Sequence, residues 1–194
     1  MRLWTSVSRA RSDPRGRVPA RRGFLRGLAG LSAVALAGPA RLLADNRAER
    51  VLSFTNTHTA ERLTVPYFAD GQYLAEGLSR LNHLLRDHRS GEEHEIDPTL
   101  FDLLNDLRLG TGTRESFQVI SGYRSPNSNA NLRRAGRGVA KHSLHMDGRA
   151  IDVRLADVKT SVLRDAALEL RRGGVGYYRK SDFVHVDTGR FRTW

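Results

Sequence analysis

The sequence predicts an α+β domain, a small antiparallel sheet flanked by helices. Three observations carry that expectation. Two segments with leucines at helical spacing, 73–89 and 96–110, come early. Short runs of apolar and β-branched residues, at 150–155, 175–178 and 183–189, come late. No repeat and no low-complexity stretch interrupts the chain after residue 44, so one domain with one core is expected.

The elements follow in order. Val51–Phe68 reads as two short strands around a polar turn at Asn56–Glu61. In the first helical segment Leu74, Leu78, Leu81 and Leu85 share a face. In the second, Asp97 is the expected N-cap and Pro98 the first helical residue, Leu100, Leu103, Leu104 and Leu107 form the stripe, and Gly110 sits near the end. Phe117–Ser121 is a compact β run that enters a loop marked by Gly122 and Pro126, with a short helix through Leu132. Residues 136–143 are glycine-rich and basic, hence another loop. Leu163, Ala166, Ala167 and Leu170 define a last helix expected to stop at Gly173.

Residues 1–44 stand apart. They hold nine arginines against one acid, Asp13, then the uncharged run LAGLSAVALAG. A basic region, a short apolar region and small residues beyond it mark an export signal. Arg21 and Arg22 followed by Phe24 and Leu25 resemble the twin-arginine address, which a receptor reads. Cleavage after Ala37, Ala40 or Ala44 fits equally, and an uncleaved signal would leave the protein anchored at the membrane. The apolar run is shorter than the roughly 20 residues of a membrane span, so residues 45–194 are expected to form one mature domain with no membrane span, a periplasmic or exported monomer. Taking the leader's +8 from the chain's +11 leaves +3, which argues against nucleic acid as a partner.

The chemistry concentrates in KHSLHMDGRAIDV, Lys141–Val153, which carries two histidines and two aspartates. The sequence contains no cysteine, so any metal here is held by nitrogen and oxygen. A carboxylate inside the apolar run AIDV is costly to bury unless something pairs with it. Side chains alternate along strands, so Asp152 faces away from Ile151 and Val153, and His185 in FVHVD repeats the pattern. Two strands of one sheet would bring Asp152 and His185 together, and His145 on the entering loop would complete a set of three. Two histidines and a carboxylate leave a fourth zinc position open, as catalysis requires. The same residues also fit a polar loop leading into a strand, and spacing does not choose between the two.

SLHMDGRAID resembles the Ser-x-His-x-x-Gly-x-Ala-x-Asp pattern of the D-Ala-D-Ala carboxypeptidase and murein endopeptidase group of zinc peptidases, a superfamily shared with lysostaphin-type enzymes and the hedgehog signalling domain. SGYRSPNSN before it and FVHVDTGR after it match in the same order, and GGVGYY and LRDHRSGE are similar to the exported bacterial branch. The resemblance spans about Val51–Trp194. It implies that His145, Asp152 and His185 bind one zinc ion and that Arg124 supports the substrate carbonyl or the developing oxyanion. It further implies Ser143 as a loop-orienting or substrate-binding residue and Asp182 as general base and acid. Asp187, two residues past His185, is the other candidate base and fits more readily as the carboxylate behind an imidazole. His142 is a candidate substrate contact, whereas His58, His83, His88 and His94 are expected to lie outside the site, and one of Tyr177 and Tyr178 is expected in the core. The implied activity is zinc-dependent endopeptidase action on peptidoglycan cross-links. D-Ala-D-Ala carboxypeptidase action and a non-catalytic, zinc-stabilised peptidoglycan-binding module are the rivals.

Overall fold

The computed structural model describes residues 48–136 and 138–194; the expected export signal at 1–44 lies outside them. In chain order the strands are β1 (Arg50–Asn56), β2 (Arg62–Ala69), β3 (Gln72–Tyr73), β4 (Phe117–Ser121), β5 (Ala150–Arg154), β6 (Gly174–Tyr178), β7 (Phe183–Asp187) and β8 (Arg192–Thr193). The helices are α1 (Ala75–Leu84), α2 (Pro98–Thr111), α3 (Pro126–Arg134) and α4 (Thr160–Leu170). The strands form one sheet in the order β3-β2-β1-β4-β5-β7-β6-β8. The α+β class therefore holds, with a mixed sheet in place of a wholly antiparallel one. Two pairings, β1 with β4 and β6 with β8, are parallel and the other five antiparallel. The stretch from β1 to β4 contains two helices, and a crossover of that length is what parallel pairing needs.

The leucine stripes do what their spacing predicts. Leu81 and Leu84 of α1, Leu100, Phe101, Leu103, Leu104 and Leu107 of α2, and Leu163 and Ala167 of α4 are buried in one core. They meet Leu52, Phe54, Phe117, Val119, Ile151, Val153, Val184 and Val186, the alternate residues of four neighbouring strands. One face of the central sheet is thus apolar and helix-covered. No helix among the described residues is long and apolar enough to cross a membrane.

Helix ends show where local signals held. Asp97 caps α2 by accepting from the Thr99 amide at 3.0 Å, with Pro98 next. The helix runs past Gly110 to Thr111 and ends at Gly112, whose φ of +68° supplies the left-handed cap. For α4 that cap is Arg171, φ +50°, two residues before the expected Gly173. α1 stops at Leu84, short of the predicted 89, because the chain turns to bury Asp87.

Asp87 ties that turn to the loop leading into α3. Its carboxylate accepts from the amides of Ser125 at 2.9 Å and Arg89 at 3.0 Å. Burial alone would raise its pKa, but hydrogen bonds from Ser128, Arg89 and Ser125 outweigh it and hold the group down at about 2. A carboxyl depressed in the folded state contributes stability that is complete above the ordinary carboxylate range and lost as pH falls through the folded value. Urea unfolding is therefore expected to weaken by roughly 2 kcal/mol from this group as pH falls from about 4 to about 2. Asp87→Asn should be less stable at neutral pH and should lack that part of the acid slope. A variant with the wild-type acid slope would contradict this account.

Candidate metal centre

The face of the sheet opposite α1, α2 and α4 carries the polar residues of β5 and β7. Ile151 and Val153, and likewise Val184 and Val186, point into the core, so Asp152, His185 and Asp187 point the other way. The antiparallel register sets Asp152 directly across from His185. Both residues are over nine-tenths buried.

His145 arrives from a different kind of element. It sits in a single 3-10 turn, Leu144–Asp147, closed by Gly148 at φ +65°. A side chain at Gly148 would strike the Glu95 carbonyl oxygen, so glycine is needed for space as well as for φ. The turn is fastened at several points. The Gly148 carbonyl accepts from the Asp97 amide at 2.9 Å, and the His145 carbonyl accepts from the Arg124 amide at 3.1 Å. Asp97 also accepts from the Thr188 hydroxyl at 2.7 Å, linking α2, the turn and the end of β7.

Three atoms converge. His145 Nε2 lies 3.2 Å from His185 Nδ1 and 3.3 Å from Asp152 Oδ1, and His185 Nδ1 lies 2.8 Å from Asp152 Oδ1. Donors bound at about 2.0–2.1 Å around a tetrahedral ion would sit about 3.3 Å apart, so the set has the spacing a metal needs. The outer nitrogens are also committed. Gly122 O can only accept, so His145 Nδ1 donates to it at 2.8 Å and leaves Nε2 with its lone pair inward. His185 Nε2 donates to Asp187 Oδ2 at 3.1 Å, which directs Nδ1 inward. These three residues are the cluster able to hold a metal ion among the described residues.

The electrostatics follow from that packing. Burial alone would raise the Asp152 pKa, but the imidazoles of His145 and His185 outweigh it and hold the carboxyl well below the usual range. Burial disfavours a charged His185, yet hydrogen bonds to Asp152 and Asp187 prevail and raise its pKa. Asp187 is completely buried. Burial pushes its pKa up, but His185, Arg192 and the amides of Gly174 and Gly189 hold it far below its ordinary value. Arg192 grips both Asp187 oxygens, at 3.0 and 2.6 Å.

The cluster opens into a groove lined by Arg124, His142, Ser143, Tyr178, Phe183 and Trp194 among others. Arg124 follows β4 and is buried. Its Nη2 lies 3.9 Å from Asp152 Oδ2 and 3.3 Å from Ser121 Oγ, while its buried Nε has no partner among the described residues. Burial lowers its pKa, yet a guanidinium stays charged. Asp182 is not brought to the cluster. Its φ is +53° in the turn between β6 and β7, and its carboxylate is held there, Oδ1 accepting from Thr160 at 2.9 Å and Oδ2 lying 3.6 Å from Arg154.

The other histidines lie apart from the cluster, as expected. His83 pairs with Glu93 at 2.7 Å, His58 and His88 stack at 3.7 Å, and His94 stacks on Tyr123 at 4.7 Å. Of the tyrosine pair, Tyr177 packs against the core and Tyr178 lines the groove. Sequence reasoning missed Arg192, Trp194 and the Gly122 carbonyl. GRFRTW carries no spacing signal, and a backbone acceptor carries no residue signal at all.

A mixed sheet with α1, α2 and α4 on one face and a buried His–Asp–His cluster under a groove on the other is the plan of a metal-dependent hydrolase. The chain belongs to the Peptidase_M15_2 family of M15-type metallopeptidases, described as Peptidoglycan L,D-endopeptidase MepK, whose profile matches residues 44–194. It is 44% identical over 164 residues to Peptidoglycan L,D-endopeptidase MepK of Escherichia coli (strain K12), covering 84% of this chain and 90% of that protein. The protein of the same name from Shigella flexneri matches to the same extent. Over 146 residues it is 44% identical to Probable peptidoglycan L,D-endopeptidase MepK of Haemophilus influenzae, covering 75% and 78% of the two chains.

Loss of the hydrogen bond behind His185 should loosen the metal without dismantling the sheet. Asp187→Asn is expected to weaken metal affinity by about 10–100-fold, read by competition against a chromophoric chelator. Affinity equal to the wild type would remove Asp187 from the account.

Proposed function

We propose that this chain is an exported zinc peptidase, a peptidoglycan endopeptidase that hydrolyses an amide bond in the peptide cross-links of the cell wall. The observation that carries the reading is the convergence of His145 Nε2, Asp152 Oδ1 and His185 Nδ1 within 3.3 Å of one another, each imidazole held from behind. The donors are two nitrogens and one oxygen on a chain without cysteine, a set that suits zinc and leaves one position open. The family and the names of its relatives favour endopeptidase over carboxypeptidase action. Residues 1–44 are the export signal in this reading, with a twin-arginine address, and 45–194 the catalytic domain. Peptidoglycan is then the substrate and the twin-arginine machinery the export partner.

When bound, zinc would supply Lewis-acid chemistry, polarising a carbonyl oxygen and lowering the pKa of water to about 7. The chain's own residues do the rest. Asp152 and the two imidazoles would hold the ion, and Asp187 holds the ring of His185. Arg124 lines the groove with a desolvated positive charge, the right chemistry for an oxygen that gains negative charge in the transition state. Ser143 lines the groove at the start of the His145 turn, where its hydroxyl is placed to meet substrate. Proton transfer is assigned to the groove. Asp182 reaches it only if the β6–β7 turn gives up Thr160 and Arg154, whereas His142 already lines it.

The test pairs zinc content with mass spectrometry of digested peptidoglycan. One zinc per chain with loss of cross-linked dimers, reversed by chelator, is the expected result; zinc without cleavage would leave the binding-module rival, and release of terminal D-alanine alone the carboxypeptidase rival. Arg124→Ala should lower kcat by about 10²–10³ with zinc content unchanged. Undiminished turnover would take Arg124 out of the mechanism. Comparing His142→Ala with Asp182→Asn settles the proton carrier. We expect a kcat loss of about 10²-fold or more in the first and less in the second, and the reverse order would mean that the turn moves onto the substrate.

A further inference from the structure

Trp194 is a large aromatic held rigidly in the open. It is 52% exposed, yet four constraints fix it. Its amide donates to Val175 O at 3.3 Å and its carbonyl accepts from Tyr177 N at 3.1 Å, so its backbone runs on beside β6. Its Nε1 donates to the Tyr178 hydroxyl at 2.9 Å. The indole lies against the bare backbone of Gly176, where a Cβ would come within 2.7 Å of the ring. The Arg192 guanidinium stands 5.0 Å from the ring centre.

This indole is also beside the chemistry. Gly176 pairs with His185, and the Trp194 and His185 rings are 5.2 Å apart. Trp194 lines the same groove as Arg124, His145 and Asp152. Sheet order fixes the direction of that groove. Arg124 leaves β4, Asp152 and His185 stand on β5 and β7, and Trp194 lies beyond them over β6. A chain crossing the cluster from Arg124 therefore meets Trp194 on the far side. Exposed apolar area costs free energy unless something covers it, and a rigid aromatic loses little entropy when it is covered.

We infer that Trp194 is a substrate-contacting residue, whose indole face takes the carbon chain of the peptide residue flanking the scissile amide on the side away from Arg124. This rests on the endopeptidase reading and names one contact within it. Burying an aromatic contact of this size corresponds to about a tenfold change in affinity or more.

Trp194 also serves as its own probe, because the sequence has only one other tryptophan, Trp4. Full-length protein carrying Trp4→Phe, stripped of metal so that it cannot turn over, is titrated with a cross-linked peptide dimer from peptidoglycan and separately with peptide-free glycan strands. A saturable change in indole emission with the dimer alone is expected; no change with the dimer, or an equal change with glycan, overturns the inference. In the zinc-loaded enzyme Trp194→Ala should raise KM about tenfold while kcat and zinc affinity stay near wild type, with Trp194→Phe intermediate. A KM equal to wild type, or zinc affinity falling in step with activity, would make Trp194 a shield for His185 instead. Emission that responds to the dimer in a protein that never cleaves it would refute the endopeptidase reading and leave the contact standing.

Discussion

The pairing of Asp152 with His185 across β5 and β7 is the constraint on which the rest depends. A carboxylate in the middle of a buried strand carries a desolvation cost of several kcal/mol unless cationic or hydrogen-bonding partners surround it. Here the antiparallel register supplies the first partner at 2.8 Å. The inserted turn supplies the second, His145. Asp187, Gly122 and Arg124 are placed to serve those three. Without the register there would be no reason to clamp the Leu144–Asp147 turn to α2 and to Thr188.

The hydrogen bonds in the cluster also show what kind of centre it is. His185 Nδ1 faces the Asp152 carboxylate and the lone pair of His145 Nε2, while its Nε2 is committed to donating to Asp187. A proton on Nδ1 therefore sits where three donor atoms converge, a position that suits any small cation. A divalent ion that takes this position must displace that proton, so binding and deprotonation are one event.

Much of this was legible in the sequence, and the reasons are specific. Period-two alternation in AIDV and FVHVD put Asp152 and His185 on one face, because that inference needs only the geometry of a strand. Leucine spacing located α1, α2 and α4 for the same kind of reason. Sheet order was less accessible, since the parallel neighbours β1 and β4 are set by a long crossover and not by any local pattern. Asp182 shows the limit most clearly. Its role as general base is implied by resemblance alone, and the position of its side chain depends on a turn with φ +53° that no spacing in the sequence announces. Arg192 and Trp194 were invisible because their roles arise from where β8 pairs, beside β6 and not beside β7.

Arg192 explains how the site can use a second carboxylate without weakening its own electrophile. Asp187 holds His185, but a bare buried anion next to the centre would offset part of a metal's charge. Arg192 binds both of its oxygens, and the amides of Gly174 and Gly189 donate to it at 2.9 and 2.8 Å. The pair is close to neutral as seen from the cluster, so Asp187 contributes orientation with little added field. With both imidazoles neutral and Asp152 the one anion among the ligands, a divalent ion would keep a net charge of about +1 facing the groove. Arg124 adds a second positive charge on the β4 side of the same opening. The groove is therefore electrophilic across the width where a peptide carbonyl would have to lie.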